Sequence, residues 1–193
     1  MKNAFLTDYI KVYRNFFGEE IGKDLIESTA NDSERWKTHE WTSYEANDPK
    51  NVKSVSLQDD LSVTCDIPEN MRNYLHLSIE EGTIQYLQDL NLGTGIISQY
   101  SQVRINRYLT GTKMAKHHDN IISLFESQSG SPILTYIGVL NNEYEGGEFL
   151  MFDNLQIKLN SGDLMIFPSA FMYTHEVLPV TSGERWSFVA WSF

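Results

Sequence analysis

The chain carries one cysteine, Cys65, in 193 residues. That excludes an intrachain disulfide, and it makes a reducing, cytoplasmic setting the expectation. No apolar run approaches the length of a membrane span, so no membrane partner is expected. Residues Met1 to Asp8 lack the apolar segment of a signal peptide. Positive charge is scarce as well. Lys and Arg number 15 against 26 Asp and Glu, a net charge of −11. A nucleic-acid backbone calls for a basic surface, so nucleic acid is not an expected partner. Repeats and low-complexity tracts are missing, and no linker separates two folding units. What is present is a hydrophobic content of 41%, enough for one globular domain over 1–193.

The two halves differ in pattern. In the first, Tyr9 to Phe17 reads as a strand. Ile21, Leu25, Ile26 and Ala30 then recur at helical spacing, with Glu19 and Glu20 at the positive end of the dipole. The polar stretch 42–60, too long for a simple turn, reads as a solvated loop or as a lid over a site. A second helical region follows Pro68, with Met71, Tyr74, Leu75, Ile84, Leu87 and Leu90 on one side and Gly82 as an expected break. After Ile96 the segments become short and alternating, separated by turn signals such as Gly146-Gly147, Asn160-Ser161-Gly162 and Thr181-Ser182-Gly183. Short strands at this spacing imply a sandwich or barrel. Residues 1–95 then form a supporting region and 96–193 a β core.

The chemistry gathers around His117-His118-Asp119. In extended chain His117 and Asp119 project together and His118 projects away. One more histidine on that face would complete a 2-His-1-carboxylate set, the usual holder of non-haem Fe(II). Of the five histidines, His39 and His76 lie in the first half and read as surface or packing residues. His175 stands in a strand pattern, Phe171 to Leu178, followed by a turn and a second strand, Glu184 to Phe193. A hairpin centred near Val180 sets His175 opposite Arg185, with Ser187, Val189 and Trp191 on the face of Arg185. An arginine inside a barrel without an acidic partner is costly unless a ligand carboxylate pairs with it, which its planar fork suits. The residues alone therefore suggest an iron centre beside a dicarboxylate pocket.

From Arg104 to Phe193 the chain resembles the prolyl 4-hydroxylase-like branch of the Fe(II)/2-oxoglutarate-dependent dioxygenases. The carriers are Arg107-Tyr108, Gly111, His117-x-Asp119, Gly146-Gly147-Glu148-Phe149, Gly162-Asp163-Leu164-Met165-Ile166-Phe167-Pro168, and His175-Glu176-Val177-x-Pro179-Val180-Thr181-x-Gly183-x-Arg185. The resemblance implies a mainly β fold with flanking helices, the double-stranded β-helix or jelly roll. It implies His117, Asp119 and His175 as iron ligands, and Arg185 on the far carboxylate of 2-oxoglutarate. Tyr108, Thr135 and Ser187 would contact the cosubstrate, with Ile137 and Val139 on the same wall. Arg104 and Trp191 would face the substrate. Some relatives carry a tyrosine where Val139 stands, so that phenol contact is lost here and its role is expected to pass to Tyr108 or Thr135.

The implied activity is hydroxylation of prolyl residues in a peptide or protein, with Fe(II), 2-oxoglutarate and O2 consumed or required, ascorbate as reductant, and succinate and CO2 as co-products. No side-chain acid or base is needed. The alternatives are a hydroxylase of a free amino acid or other small molecule, and a non-catalytic jelly-roll binding module. For Arg185 a structural salt bridge to Asp163 or Glu176 is the competing reading. Phe149, Phe167, Trp186 and Phe188 read as core.

Overall fold

The computed structural model describes residues 4–45, 48–55, 60–120 and 130–193, with side chains left undescribed at 42–45, 48–55 and 94. The strands, in chain order, are β1 (Lys11–Tyr13), β2 (Lys37–Thr38), β3 (Trp41–Glu45), β4 (Asp48–Val55), β5 (Ser62–Thr64), β6 (Arg104–Tyr108), β7 (Met114–His117), β8 (Leu134–Val139), β9 (Tyr144–Gly146), β10 (Phe149–Met151), β11 (Leu155–Ile157), β12 (Leu164–Pro168), β13 (His175–Val177), β14 (Val180–Gly183) and β15 (Arg185–Ser192). Two helices accompany them, α1 (Glu19–Thr29) and α2 (Glu69–Asp89).

A seven-stranded sheet runs β1-β12-β8-β15-β6-β5-β2, and a four-stranded sheet runs β11-β10-β13-β7. Every pairing in them is antiparallel. The architecture is the expected jelly roll. The period-2 alternation of the central strands explains its layering. Leu134, Tyr136, Leu164, Ile166, Trp186, Phe188 and Ala190 join a cluster with Leu75, Ile79, Tyr86 and Leu87 of α2. Ile137, Met165, Phe167, Val189 and Trp191 point the other way and meet Met114, Phe149, Met151 and Val177 of the small sheet. Strands β8 and β15 are thus buried on both faces.

Several expectations change. The strand expected over Tyr9 to Phe17 is only β1, because the Asp163 carboxylate takes the Asn15 amide and the chain turns with Asn15 at φ 46°. Gly82 does not break α2. A Cβ there would sit 2.6 Å from Leu164, so the glycine lets the helix lie close on β12. Within the stretch 42–60 the described backbone is extended and pairs β3 with β4 antiparallel. Residues 46–47 and 56–59 of that stretch, and residues 121–129, lie outside the described residues.

Candidate metal and dicarboxylate site

The hairpin expected around Val180 does not form. His175 lies on β13, which pairs with β10 and β7, whereas Arg185 lies on β15, between β6 and β8. β14 intervenes and pairs with β9. His175 and Arg185 therefore belong to opposing sheets, and the sandwich brings them to one cavity. That cavity is lined by Arg104, Asn106, Tyr108, His117, Asp119 and Ile137, together with Phe149, His175, Arg185, Ser187 and Trp191.

His117 and His175 are direct partners across β7 and β13. The ligand atoms of His117, Asp119 and His175 all lie within 4.8 Å of one another. Asp119 Oδ1 is 3.4 Å from His117 Nε2, and Oδ2 is 3.7 Å from His175 Nε2. Each imidazole is held from behind. Nδ1 of His117 lies 2.8 Å from the Ala115 carbonyl, and Nδ1 of His175 lies 3.1 Å from that of Tyr173. Donation from Nδ1 leaves Nε2 as the lone-pair nitrogen aimed at the gap, the arrangement a metal-binding histidine needs. Phe149 stacks on His175 at 5.4 Å, and Trp41 meets His117 edge-on at 4.9 Å.

The charge state suits a metal. Burial, then the neighbouring His117, pull His175 down to about 4 against the opposing pull of Asp119, so its imidazole is neutral at neutral pH. Burial pushes the Asp119 carboxyl up, but His175, His117 and Trp191 together hold it well below the usual carboxylate range. Two imidazole nitrogens and one carboxylate form a donor set that fits Fe(II), with coordination positions left for other ligands. His118 is exposed, turned away as expected.

Arg185 stands on the same cavity, 2% exposed. Nη1 donates to Ser187 Oγ at 3.0 Å, and the guanidinium lies 5.0 Å above the Tyr108 ring and 5.9 Å from that of Tyr144. Its Nε has no hydrogen-bond partner among the described residues. The salt bridge considered for it does not form with Asp163, which pairs with Arg14 at 2.5 Å. A buried guanidinium beside only a hydroxyl and two rings is set up for an incoming anion.

Thr135 does not line this cavity. Its hydroxyl donates to Asp119 Oδ2 at 2.8 Å and meets Ser169 Oγ at 2.8 Å, so it stands behind the carboxylate. Val139 is buried away from the cavity, whereas Ile137 lines it. Arg104 and Trp191 are in contact, with the guanidinium 5.2 Å from the ring centroid. Tyr144 and Trp41 went unassigned in the sequence, and His39, read as a surface or packing residue, lies edge-on to Trp41, while Asn106 lines the cavity. Asn106 was legible, since it shares a strand face with Arg104 and Tyr108. The other three reach the site only through tertiary pairing.

Residues 103–193 match the family model of the 2OG-Fe(II) oxygenase superfamily. A PKHD-type hydroxylase of Shewanella oneidensis is 37% identical over 101 residues, 48% of this chain and 43% of that protein. One from Aliarcobacter butzleri is 31% identical over 140 residues, 63% of this chain and 61% of that protein. The chain thus spans less than two thirds of the length of these relatives. In solved structures, a prolyl hydroxylase from Trichoplax adhaerens, in complex with a hypoxia inducible factor peptide fragment, superposes with a TM-score of 0.68 at 18% identity, covering 97% of this chain and 84% of that one. A Pseudomonas putida prolyl-4-hydroxylase gives 0.66 at 18% identity over 95% and 91%. These neighbours share the fold. The family match over residues 103–193 and the ordered motifs from Arg104 to Arg185 make this part of the chain similar to the 2OG-Fe(II) oxygenase superfamily.

Proposed function

We propose that this chain is an Fe(II)- and 2-oxoglutarate-dependent dioxygenase that hydroxylates prolyl residues in a peptide or protein, with succinate and CO2 as co-products. The observation that carries the reading is the juxtaposition, in one cavity, of a His-Asp-His donor set with a buried arginine that has no acidic partner among the described residues. In this reading His117 Nε2, one Asp119 oxygen and His175 Nε2 hold the iron. Arg185, with Ser187 beside it, takes the far carboxylate of 2-oxoglutarate in bidentate fashion. Tyr108 packs under the guanidinium and fixes its plane.

Bound iron and cosubstrate supply the O2 activation and the oxidising power. The protein's own residues hold and orient. The Ala115 and Tyr173 carbonyls fix the tautomers of the two histidines, and Thr135 fixes the Asp119 carboxylate. Phe149, Phe167, Met114 and Val177 exclude water around the donor set. The cavity is tight, about 30 Å³, so in this reading its lining side chains shift to admit the diacid, whose carboxylate replaces Ser187 Oγ on Arg185. Arg104 and Trp191 flank the side left for the substrate.

The prolyl target is supported by the prolyl hydroxylases that share the fold, and a peptide by the Trichoplax complex. In the same reading the chain acts as one unit, 1–95 supporting and 96–193 carrying the chemistry, in a reducing cytoplasmic setting, with ascorbate maintaining ferrous iron. Among the described residues no helix is long and apolar enough to cross a membrane. The test is to incubate the protein with Fe(II), 2-oxoglutarate, ascorbate and proline-rich peptides. Gain of one oxygen on a proline by mass spectrometry is expected. Succinate release with every peptide unmodified would overturn the prolyl assignment.

A further inference from the structure

Beside the metal cavity lies a second cleft, of about 460 Å³. Its cations are Arg35, Lys37, Arg72 and Arg104, and its one carboxylate is Asp66. The chain as a whole carries −11, so this concentration of positive charge runs against the composition of the rest. Arg104 belongs to both cavities. Its Nε donates to Asn106 Oδ1 at 3.1 Å, and its face covers Trp191. No carboxylate pairs with its terminal nitrogens among the described residues.

The strand register explains how the two spaces join. Ser187 pairs with Asn106, Asn106 with Val63, and Val63 with Lys37. Paired residues project to the same face of a sheet. One row of side chains therefore runs from the hydroxyl beside Arg185, across the metal cavity, to a lysine at the exposed sheet edge. Asp66 does not neutralise the cleft. It lies 3.8 Å from Arg35, which is itself paired more closely with Asp32 at 2.7 Å. Arg72 donates to the Ile67 carbonyl, a contact that leaves its charge unpaired.

We propose that this cleft is the specificity subsite for a carboxylate on the primary substrate, an acidic side chain next to the hydroxylated residue of a peptide, bound by Lys37, Arg72 and Arg104. The proposal rests on the function proposed above and adds the substrate's charge to it. Elsewhere the acidic surface repels such a peptide, so the cleft decides both its placement and its direction.

The test uses two proline-containing peptides that differ only in Glu against Gln flanking the proline, with N-acetylproline and its amide as a free-acid pair. Each is titrated calorimetrically into the protein, with and without Fe(II) and 2-oxoglutarate, oxygen excluded. The Glu peptide is expected to bind about tenfold or more tightly than the Gln peptide, less so at high salt. That preference is expected to collapse in Lys37→Gln, an exposed position, and in Lys37→Gln/Arg72→Gln. Equal binding of the two peptides, no binding by any probe, or a preference untouched in the folded variants would overturn the proposal. A larger acid-over-amide gap for N-acetylproline than for the peptides would support the carboxylate cleft and assign it to a small acid, overturning the peptide source. Succinate release, measured separately, reports on the oxygenase reading: charge preference without turnover sinks that reading and leaves the cleft.

Discussion

Asp119 is the residue on which the account turns. It is the one carboxylate between two histidines, and Thr135 stands behind it. Asp119→Asn is expected to abolish tight metal binding while leaving the fold intact, read by metal retention after gel filtration and by circular dichroism. Thr135→Val keeps the shape but removes the donor, so metal affinity is expected to fall about 10–100-fold. An unchanged affinity would return Thr135 to a purely structural place. Gly147 has φ 63°, and a Cβ there would lie 2.9 Å from Arg185 Cδ. Gly147→Ala is thus expected to push the guanidinium aside and raise the KM for 2-oxoglutarate more than it lowers kcat. The His117 and Asp119 part of the candidate cluster was legible in the sequence because His-x-Asp is a local pattern, and His175 because it stands in a strand pattern. Tyr144 was not: it meets Arg185 only because β9 pairs with β14 across the sandwich end.

At the scale of elements, strand existence was readable and strand partnership was not. The alternation in β6, β8, β12 and β15 is a property of each segment alone, and the structure keeps those strands nearly where the pattern put them. Pairing is nonlocal. Nothing local to 171–193 distinguishes a hairpin from two strands in opposing sheets, so His175 and Arg185 were assigned the right proximity by the wrong route. The β3–β4 pairing was missed because its polar sequence lacks alternation. The helices turn on close approach. A Cβ at Gly22 would stand 2.0 Å from the Leu140 carbonyl oxygen. Gly22→Ala is therefore expected to lift α1 off the sheet and cost about 1–3 kcal/mol, several degrees of Tm by calorimetry. A variant as stable as the parent would mean that α1 can shift without cost.

The whole molecule couples its site to its stability through buried imidazoles. Burial, then Arg104 and His117, pull His39 down to about 3, while burial and His117 pull His175 down to about 4. Both lie below the ordinary value of about 6.5. In the window below about pH 6.5 the unfolded chain takes up protons that the fold refuses, so stability falls as pH falls toward 4. Denaturant midpoints of the metal-free protein between pH 7.5 and about 4.5 are expected to decline, and a flat profile would contradict the burial of these rings. The sandwich also explains why one wall carries the candidate metal ligands and the facing wall the arginine. The most direct test of that arrangement is succinate released from 2-oxoglutarate by the wild-type protein, His175→Ala and Arg185→Ala, with and without Fe(II). The account predicts iron-dependent release by the wild type, none by His175→Ala, and release by Arg185→Ala only at much higher 2-oxoglutarate. Wild-type release that persists without iron, or an Arg185→Ala protein with an unaltered 2-oxoglutarate requirement, would contradict it.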